Sequence, residues 1–144
     1  MNGAGIKNLG DVAITAALTD EVVTSASLNG SAVAYIGNLA GMTSLTVWAN
    51  FDYGSTGTTV AAIIQTSLDQ GTTWIDIIRF DFTTSDRKAH ATVGVFAAGT
   101  VTTLAALGSE GKLDNVLGDR IRAKVTSTGT YAGNTSLALR ACVR

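Results

Sequence analysis

Residues 67–74 of this 144-residue chain read Ser-Leu-Asp-Gln-Gly-Thr-Thr-Trp, a stretch that constrains the fold more than any other. An aspartate such as Asp69 accepts hydrogen bonds from the amides of a turn, and Gly71 adopts backbone angles that strain other residues. Strand-forming side chains precede and follow the stretch, so Trp74 is positioned to pack across a hairpin. We therefore predict a tight turn between two paired strands, with structural roles for Ser67, Asp69, Gly71, Thr73 and Trp74.

Short runs of Thr, Val and Ile recur along the whole chain, separated by Gly, Asn, Asp and Ser, and the sequence has no proline. This alternation is typical of strands, and turns at roughly 8–12-residue spacing are typical of β-sandwiches and jelly rolls. We predict an all-β protein with one antiparallel β-sandwich or jelly-roll-like domain over residues 11–144. The expected strands include residues 11–18, 43–51, 58–67, 72–82, 90–96, 119–126 and 135–143, with residues 100–107 as a further strand or a short helix.

Residues 1–10 are rich in glycine and have few side chains to bury. A chain end of this kind is normally disordered unless something holds it. We therefore predict a flexible N-terminal arm over residues 1–10, held by a neighbouring subunit through Ile6 and Leu9. Addition of the arm as an edge strand is one mode of attachment, and packing against its own domain is the alternative.

The chain is apolar for its size, with a mean hydropathy of +0.29. Only 15% of its residues are charged, against an average of roughly a quarter for soluble domains. Few charges combined with a positive hydropathy predict more buried surface than one small domain provides. We therefore expect contacts with other protein chains.

The distribution of charge disfavours two other classes of partner. The net charge is -1 and the charged residues are spread along the chain, whereas nucleic-acid binding requires a concentrated positive field. No apolar run approaches the roughly 20 residues that span a bilayer. Residues 1–10 also lack the apolar core of a signal peptide. We therefore expect no nucleic-acid partner, no membrane partner and synthesis in the cytoplasm.

The sequence supplies few residues for catalysis or metal binding. His90 and Cys142 are the only histidine and the only cysteine, whereas a zinc site needs three or four soft ligands. A glycosidase needs two carboxylates across a cleft, but Asp76 and Asp81 lie five positions apart on one predicted strand and are expected on opposite faces. Calcium takes oxygen ligands, but the aspartates do not follow the spacing of a calcium loop. We therefore expect no enzyme activity, no metal and no cofactor.

Two resemblances add to these predictions. Residues 67–74 resemble the Asp-box turn of sialidase-type β-propellers, but the motif occurs once and a propeller would repeat it in each blade. Residues 65–77, residues 80–82 and the block 117–135 resemble segments of small virion proteins of tailed bacteriophages. That resemblance implies a β-sandwich on the virion, of the type that decorates or cements the capsid shell, without catalytic residues.

The expectation from the resemblance is a structural protein on the outer capsid surface, made in the host cytoplasm. Its partners would be the major capsid protein of the same phage and further copies of itself. The candidate assembly contacts are Ile6, Leu9, Trp48 and Tyr53. Two alternatives stay open: a tail, neck or fibre component of the virion, and a carbohydrate-binding module with Trp48, Tyr53 or Tyr131 as a stacking platform.

Overall fold

The computed structural model describes residues 4–23, 25–26, 32–39, 41–97 and 99–144. Those residues form β-strands joined by turns and extended connections, and none of them is helical. A helix that could cross a membrane is accordingly not found among them. The strands are β1 (Gly5–Ala13), β2 (Glu21–Val22), β3 (Ser25–Ala26), β4 (Ala32–Val33), β5 (Ser44–Asp52), β6 (Ser55–Thr56), β7 (Thr59–Ser67), β8 (Ile75–Phe82), β9 (Arg87–Gly94), β10 (Gly111–Lys112), β11 (Arg120–Thr128), β12 (Tyr131–Ala132) and β13 (Ser136–Val143).

Two antiparallel sheets pack face to face. Sheet A has the order β1-β13-β5-β9, sheet B has the order β10-β8-β7-β11-β2, and β12-β6 and β3-β4 are small separate pairs. Eight strands make up most of the two sheets: β1, β2, β5, β7, β8, β9, β11 and β13. When these eight are renumbered 1 to 8 in chain order, sheet A has the order 1-8-3-6 and sheet B has the order 5-4-7-2. That is the strand order of a jelly roll. The predicted all-β antiparallel sandwich is therefore confirmed.

Alternation of side chains explains why these strands form and where the core lies. In β5, Leu45, Val47, Ala49 and Phe51 are fully buried, while the residues that alternate with them face outward. Strands β11 and β13 show the same period of two, as expected for strands with one buried face. Each large aliphatic or aromatic side chain removed from water contributes roughly 1.5–3 kcal/mol, so the facing surfaces of the two sheets form the main stabilising core.

The predicted N-terminal arm is part of the sandwich. Strand β1 pairs with β13 from Gly5 opposite Val143 to Ala13 opposite Ser136, with a register shift at the bulge around Leu9. The Leu9 side chain is fully buried in the core. The predicted boundary at residue 10 is therefore wrong, because β13 offers a complete edge for β1 to pair with. Residues 1–3 lie outside the described residues.

Two further expectations need correction. Residues 100–107 form neither a strand nor a helix, because no neighbouring strand pairs with their backbone among the described residues. Asp76 lies opposite Gln65 and Asp81 opposite Ala61, which places both carboxylates on the outer face of sheet B. A β-bulge between Ile64 and Gln65 shifts the alternation of β8 and overrides the simple period of two.

The connections divide between two ends of the sandwich. Residues 14–20, 53–58, 83–86 and 129–135 lie at one end, called here the upper end. The lower end is where Gly5, Ser44, Gly94 and Val143 lie level with one another across sheet A. It also carries residues 34–39, the turn at residues 68–74 and the long connection at residues 95–119. The two ends therefore present different loops to solvent.

Candidate functional site

Exposed apolar side chains gather at the lower end. Apart from Trp48, every large apolar residue exposed among the described side chains lies at this end or in the connection that leaves it. The set comprises Ile6, Tyr35, Leu68, Val95, Phe96, Val101, Leu104 and Leu113. The upper end instead exposes Thr, Ser, Asp, Asn and Gly, as in residues 83–86 and 128–130. A concentration of exposed apolar groups marks an interaction surface. The lower end is therefore the candidate functional site.

The hairpin turn presents one of these groups. Ser67 Oγ accepts a hydrogen bond from Gly71 N at 2.8 Å, and Asp69 Oδ1 accepts one from Thr73 N at 2.7 Å. Trp74 Nε1 donates to Gly71 O at 3.0 Å and closes the turn from the other side. The five residues assigned to the turn from sequence thus lie within it. Leu68 stands at its tip with 64% of its surface exposed.

Acid is expected to weaken this turn. Hydrogen bonds from Thr73, first from its backbone amide, hold the pKa of Asp69 below its ordinary value of 3.8. Because the pKa of Asp69 is lower in the folded protein, the ionised carboxylate contributes its full stabilisation above pH 3.8. That stabilisation is lost as the pH falls through the pKa of Asp69 in the folded protein. Asp69→Asn keeps an acceptor oxygen but does not titrate. We expect the urea midpoints of wild type and D69N to converge below pH 3.8. A difference between the two midpoints that stays constant with pH would contradict the role of the carboxylate.

Arginine side chains stack on aromatic rings beside the turn. The guanidinium carbon of Arg122 lies 4.2 Å from the centre of the Trp74 ring, and that of Arg120 lies 5.0 Å from the Tyr35 ring. The Tyr35 and Trp74 rings are 6.1 Å apart. Burial lowers the pKa of Arg122. Such cation–π contacts contribute about 0.5–2 kcal/mol each, so these arginines are engaged in holding the lower end together.

A chain of hydrogen bonds continues from Arg122 across the outer face of sheet B. Arg122 Nε donates to Gln65 Oε1 at 2.8 Å, and Gln65 Nε2 donates to Asp76 Oδ1 at 2.7 Å. Asp76 Oδ2 then accepts from Leu107 N at 3.1 Å. Gln65 and Asp76 are both buried. This network fixes the point at which the connection after β9 returns to sheet B.

Residues 95–107 form a segment that runs between two fixed points, and its described residues 95–97 and 99–106 are exposed. Its start is held by Asn115 Oδ1, which accepts hydrogen bonds from Phe96 N at 2.9 Å and Ala97 N at 3.1 Å. Its end is held at Leu107 by Asp76 and by Arg79, whose Nη1 donates to Leu107 O at 2.8 Å. The segment contains no charged residue. Among the described residues, residues 99–106 form no backbone–backbone hydrogen bond, and Thr102 Oγ1 donates to Thr100 O at 3.3 Å within the segment.

The charged side chains next to this segment pair with one another within the chain. Arg79 Nε lies 2.8 Å from Asp81 Oδ1, and Arg87 contacts both carboxylate oxygens of Glu110 at 2.5 and 2.9 Å. Hydrogen bonding to Arg87 lowers the pKa of Glu110 and raises that of Arg87. Charged groups around the segment are therefore neutralised within the chain.

The predicted assembly contacts do not lie on one surface. Ile6 is 67% exposed at the lower end, and Trp48 is 38% exposed in the middle of sheet A. Leu9 is fully buried, so its predicted role as a contact with a partner is wrong. Tyr53 lies at the upper end, half-buried, with its hydroxyl donating to Thr56 O at 3.0 Å.

The three aromatic residues considered for carbohydrate stacking do not form a platform. Tyr131 is buried and its hydroxyl donates to Thr83 O at 2.7 Å; burial raises its pKa. The rings of Tyr53 and Tyr131 are 87° apart, so they present no common plane. Trp48 stands alone between Arg140 and His90 in the cross-strand register. A flat stacking surface for a sugar is therefore not built from these residues.

Residues with catalytic potential are placed apart. His90 lies opposite Trp48, whereas Cys142 lies opposite Thr46, on the outer face of sheet A. Asp76 and Asp81 share a face of sheet B but are each bonded within the chain, to Gln65 and Arg79. Across the ranges that the structure describes, no three His, Cys, Asp or Glu side chains are grouped to hold a metal ion.

Comparisons with known proteins do not assign this chain to a family. No protein-family model matches it. No curated protein matches it either. What the chain does must be inferred from its jelly-roll fold and from the apolar lower end.

Proposed function

We propose that this chain is a non-enzymatic structural protein of a virion, which binds the assembled shell of a tailed phage and stabilises it. The observation that carries the proposal is the concentration of exposed apolar side chains at the lower end. Burying such surface against a partner contributes about 25 cal/mol for each Å² removed from water. The jelly roll is consistent with this role because viral capsid proteins use it, although lectins and cupins use it too.

The lower end would face the shell and the upper end would face solvent. Ile6, Leu68 and Phe96 are exposed on the lower side, where the major capsid protein would cover them. Residues 83–86 at the upper end are polar and exposed, as suits a surface that stays in water. A protein that binds only the assembled shell stabilises it by its own binding free energy, multiplied over the symmetry of the lattice.

The number of copies and their location in purified particles test this function. Quantitative mass spectrometry with imaging of the same particles should find on the order of hundreds of copies spread over the head. Removal of the protein should then lower the melting temperature of the shell. About a dozen copies or fewer at one vertex or on the tail would contradict shell decoration and favour a tail, neck or fibre component. Absence from particles would contradict both.

The double variant Leu68→Asp, Phe96→Asp is expected to bind stripped shells at least about 100-fold more weakly than wild type, because each new carboxylate would be buried without a partner. Both side chains are exposed in the single chain, so folding should be unaffected. Thr84→Asp is the matched control, since it places a charge on the exposed upper end. Co-sedimentation with the shells measures the difference. Equal binding by the double variant would exclude the lower end as the docking surface.

A further inference from the structure

A small cleft lies between the edge strand β9 and strand β10. It has a volume of about 150 Å³, opens to solvent, and is lined mainly by apolar atoms. Its walls include Phe80, Ala89 and Ala91, together with Arg79, Arg87 and Lys112. A volume of this size accommodates one or two aliphatic side chains and is too small for most free ligands, which occupy about 300–1,000 Å³.

The basic groups around the cleft already have acidic partners. Three ion pairs close within the chain, at N–O distances of 2.5 to 3.2 Å. They are Arg79–Asp81, Arg87–Glu110 and Lys112–Asp114. An anion would have to displace these carboxylates, whereas an uncharged apolar group would leave them in place. Charge complementarity therefore favours an uncharged apolar occupant.

The segment at residues 95–107 has the properties that such an occupant requires. It carries no charge, Val101 is fully exposed and Leu104 is 55% exposed. Its threonines and valines give it the composition of a strand, yet residues 99–106 form no backbone–backbone hydrogen bond with another described residue. Arg79 binds Leu107 O and also lines the cleft, so segment and cleft are adjacent on the same side of the molecule.

The segment does not fill the cleft of its own chain. Both of its ends are fixed, at Phe96 by Asn115 and at Leu107 by Asp76, and between them Val101 points into solvent. The adjacent strand β9 is the edge of sheet A. Among the described residues, the returning chain bonds the β9 backbone only at Thr92 and Gly94, and it bonds the side chain of Arg87 through Glu110. The rest of that edge offers backbone groups for strand addition.

We propose that two copies of this chain form a two-fold dimer in which each copy places its residues 95–107 against the other. Val101 of one copy enters the cleft of its partner, and the backbone of the segment pairs with the edge of β9. An interface in which a segment and its receptor lie side by side on one surface is self-complementary, as a two-fold axis requires. The dimer forms in the free protein and does not depend on the shell.

The oligomeric state of the purified full chain tests the proposal. Sedimentation velocity should show a dimer for wild type and a monomer for Val101→Asp, with the dimer dissociation constant raised at least about 100-fold. Leu68→Asp is the control: it adds the same charge at an exposed position outside the segment and should remain a dimer. A wild-type monomer at about 100 μM, or a dimer that persists in V101D, would overturn the proposal.

Disulfide trapping tests the geometry separately. Cys142 is the only native cysteine, so all variants carry Cys142→Ser. Val101→Cys in one preparation and Ala89→Cys in a second, size-tagged preparation are mixed and oxidised. A disulfide between the V101C chain and the size-tagged A89C chain is the expected product. A dimer that does not form this disulfide would overturn the proposed contact between Val101 and the partner's cleft. Shell binding by V101D, measured independently, separates failure of the dimer from failure of the proposed function.

Discussion

Phe51→Ala is expected to lower the free energy of unfolding by about 4 kcal/mol, the largest stability effect predicted for a single side chain here. Phe51 is fully buried and belongs to sheet A. Its ring stacks on that of Phe82 in sheet B, with centroids 4.9 Å apart, and meets the edge of the Tyr131 ring at 6.0 Å. Truncation removes this contact between the sheets and leaves a cavity that the surrounding strands close only in part.

Urea unfolding, followed by tryptophan fluorescence, measures the loss. Phe96→Ala is the matched control, because it removes the same ring from a position that is 69% exposed. We expect F96A to change the free energy of unfolding by no more than about 0.5 kcal/mol. Similar destabilisation by both variants would mean that Phe51 does not join the two sheets in solution.

Gly118→Ala is expected to cost about 3 kcal/mol and to disturb the candidate site as well. A Cβ at this position would collide with the carbonyl oxygen of Ser67 and press on the Leu68 side chain. Gly118 N also donates to Thr66 Oγ1 at 2.9 Å, so the two segments cannot separate without losing that bond. Displacement of Leu68 should weaken shell binding in addition to stability.

Gly108→Ala provides the control for this second variant. No atom lies within 4 Å of a Cβ built at Gly108, which is exposed. We expect a change of no more than about 0.5 kcal/mol for G108A, and none in the binding of shells. If the unfolding curves of G118A and G108A superimpose, the backbone around Gly118 relaxes to accept a Cβ. That result would contradict the close packing of Gly118 against Ser67.

The features that the sequence predicts correctly are those held by contacts between residues close together in the chain. The turn at residues 67–74 is held by hydrogen bonds between residues no more than four positions apart, so its residue types indicate its structure. The buried face of β5 follows from the alternation of its side chains.

Distant pairing explains where sequence reasoning failed. Residues 1–10 have the sequence of a flexible arm, and the strand that holds residues 5–10 in place, β13, lies at the other end of the chain. The bulge in the β7–β8 ladder reversed the face of Asp76, which a strict alternation could not reveal. Residues 100–107 have the composition of a strand, but none of the strands in the described part of the chain pairs with them.

The sequence by itself determined the class of the fold and the hairpin turn, because alternation and turn chemistry depend on residues close together in the chain. Only the tertiary structure decided the strand order, the burial of Leu9 and the gathering of exposed apolar residues at the lower end. Those residues come from parts of the chain far apart in sequence: Ile6 near the start of β1, and Leu68 and Phe96 in two connections. They share one surface because antiparallel strands of similar length bring every second connection to the same end of the sandwich.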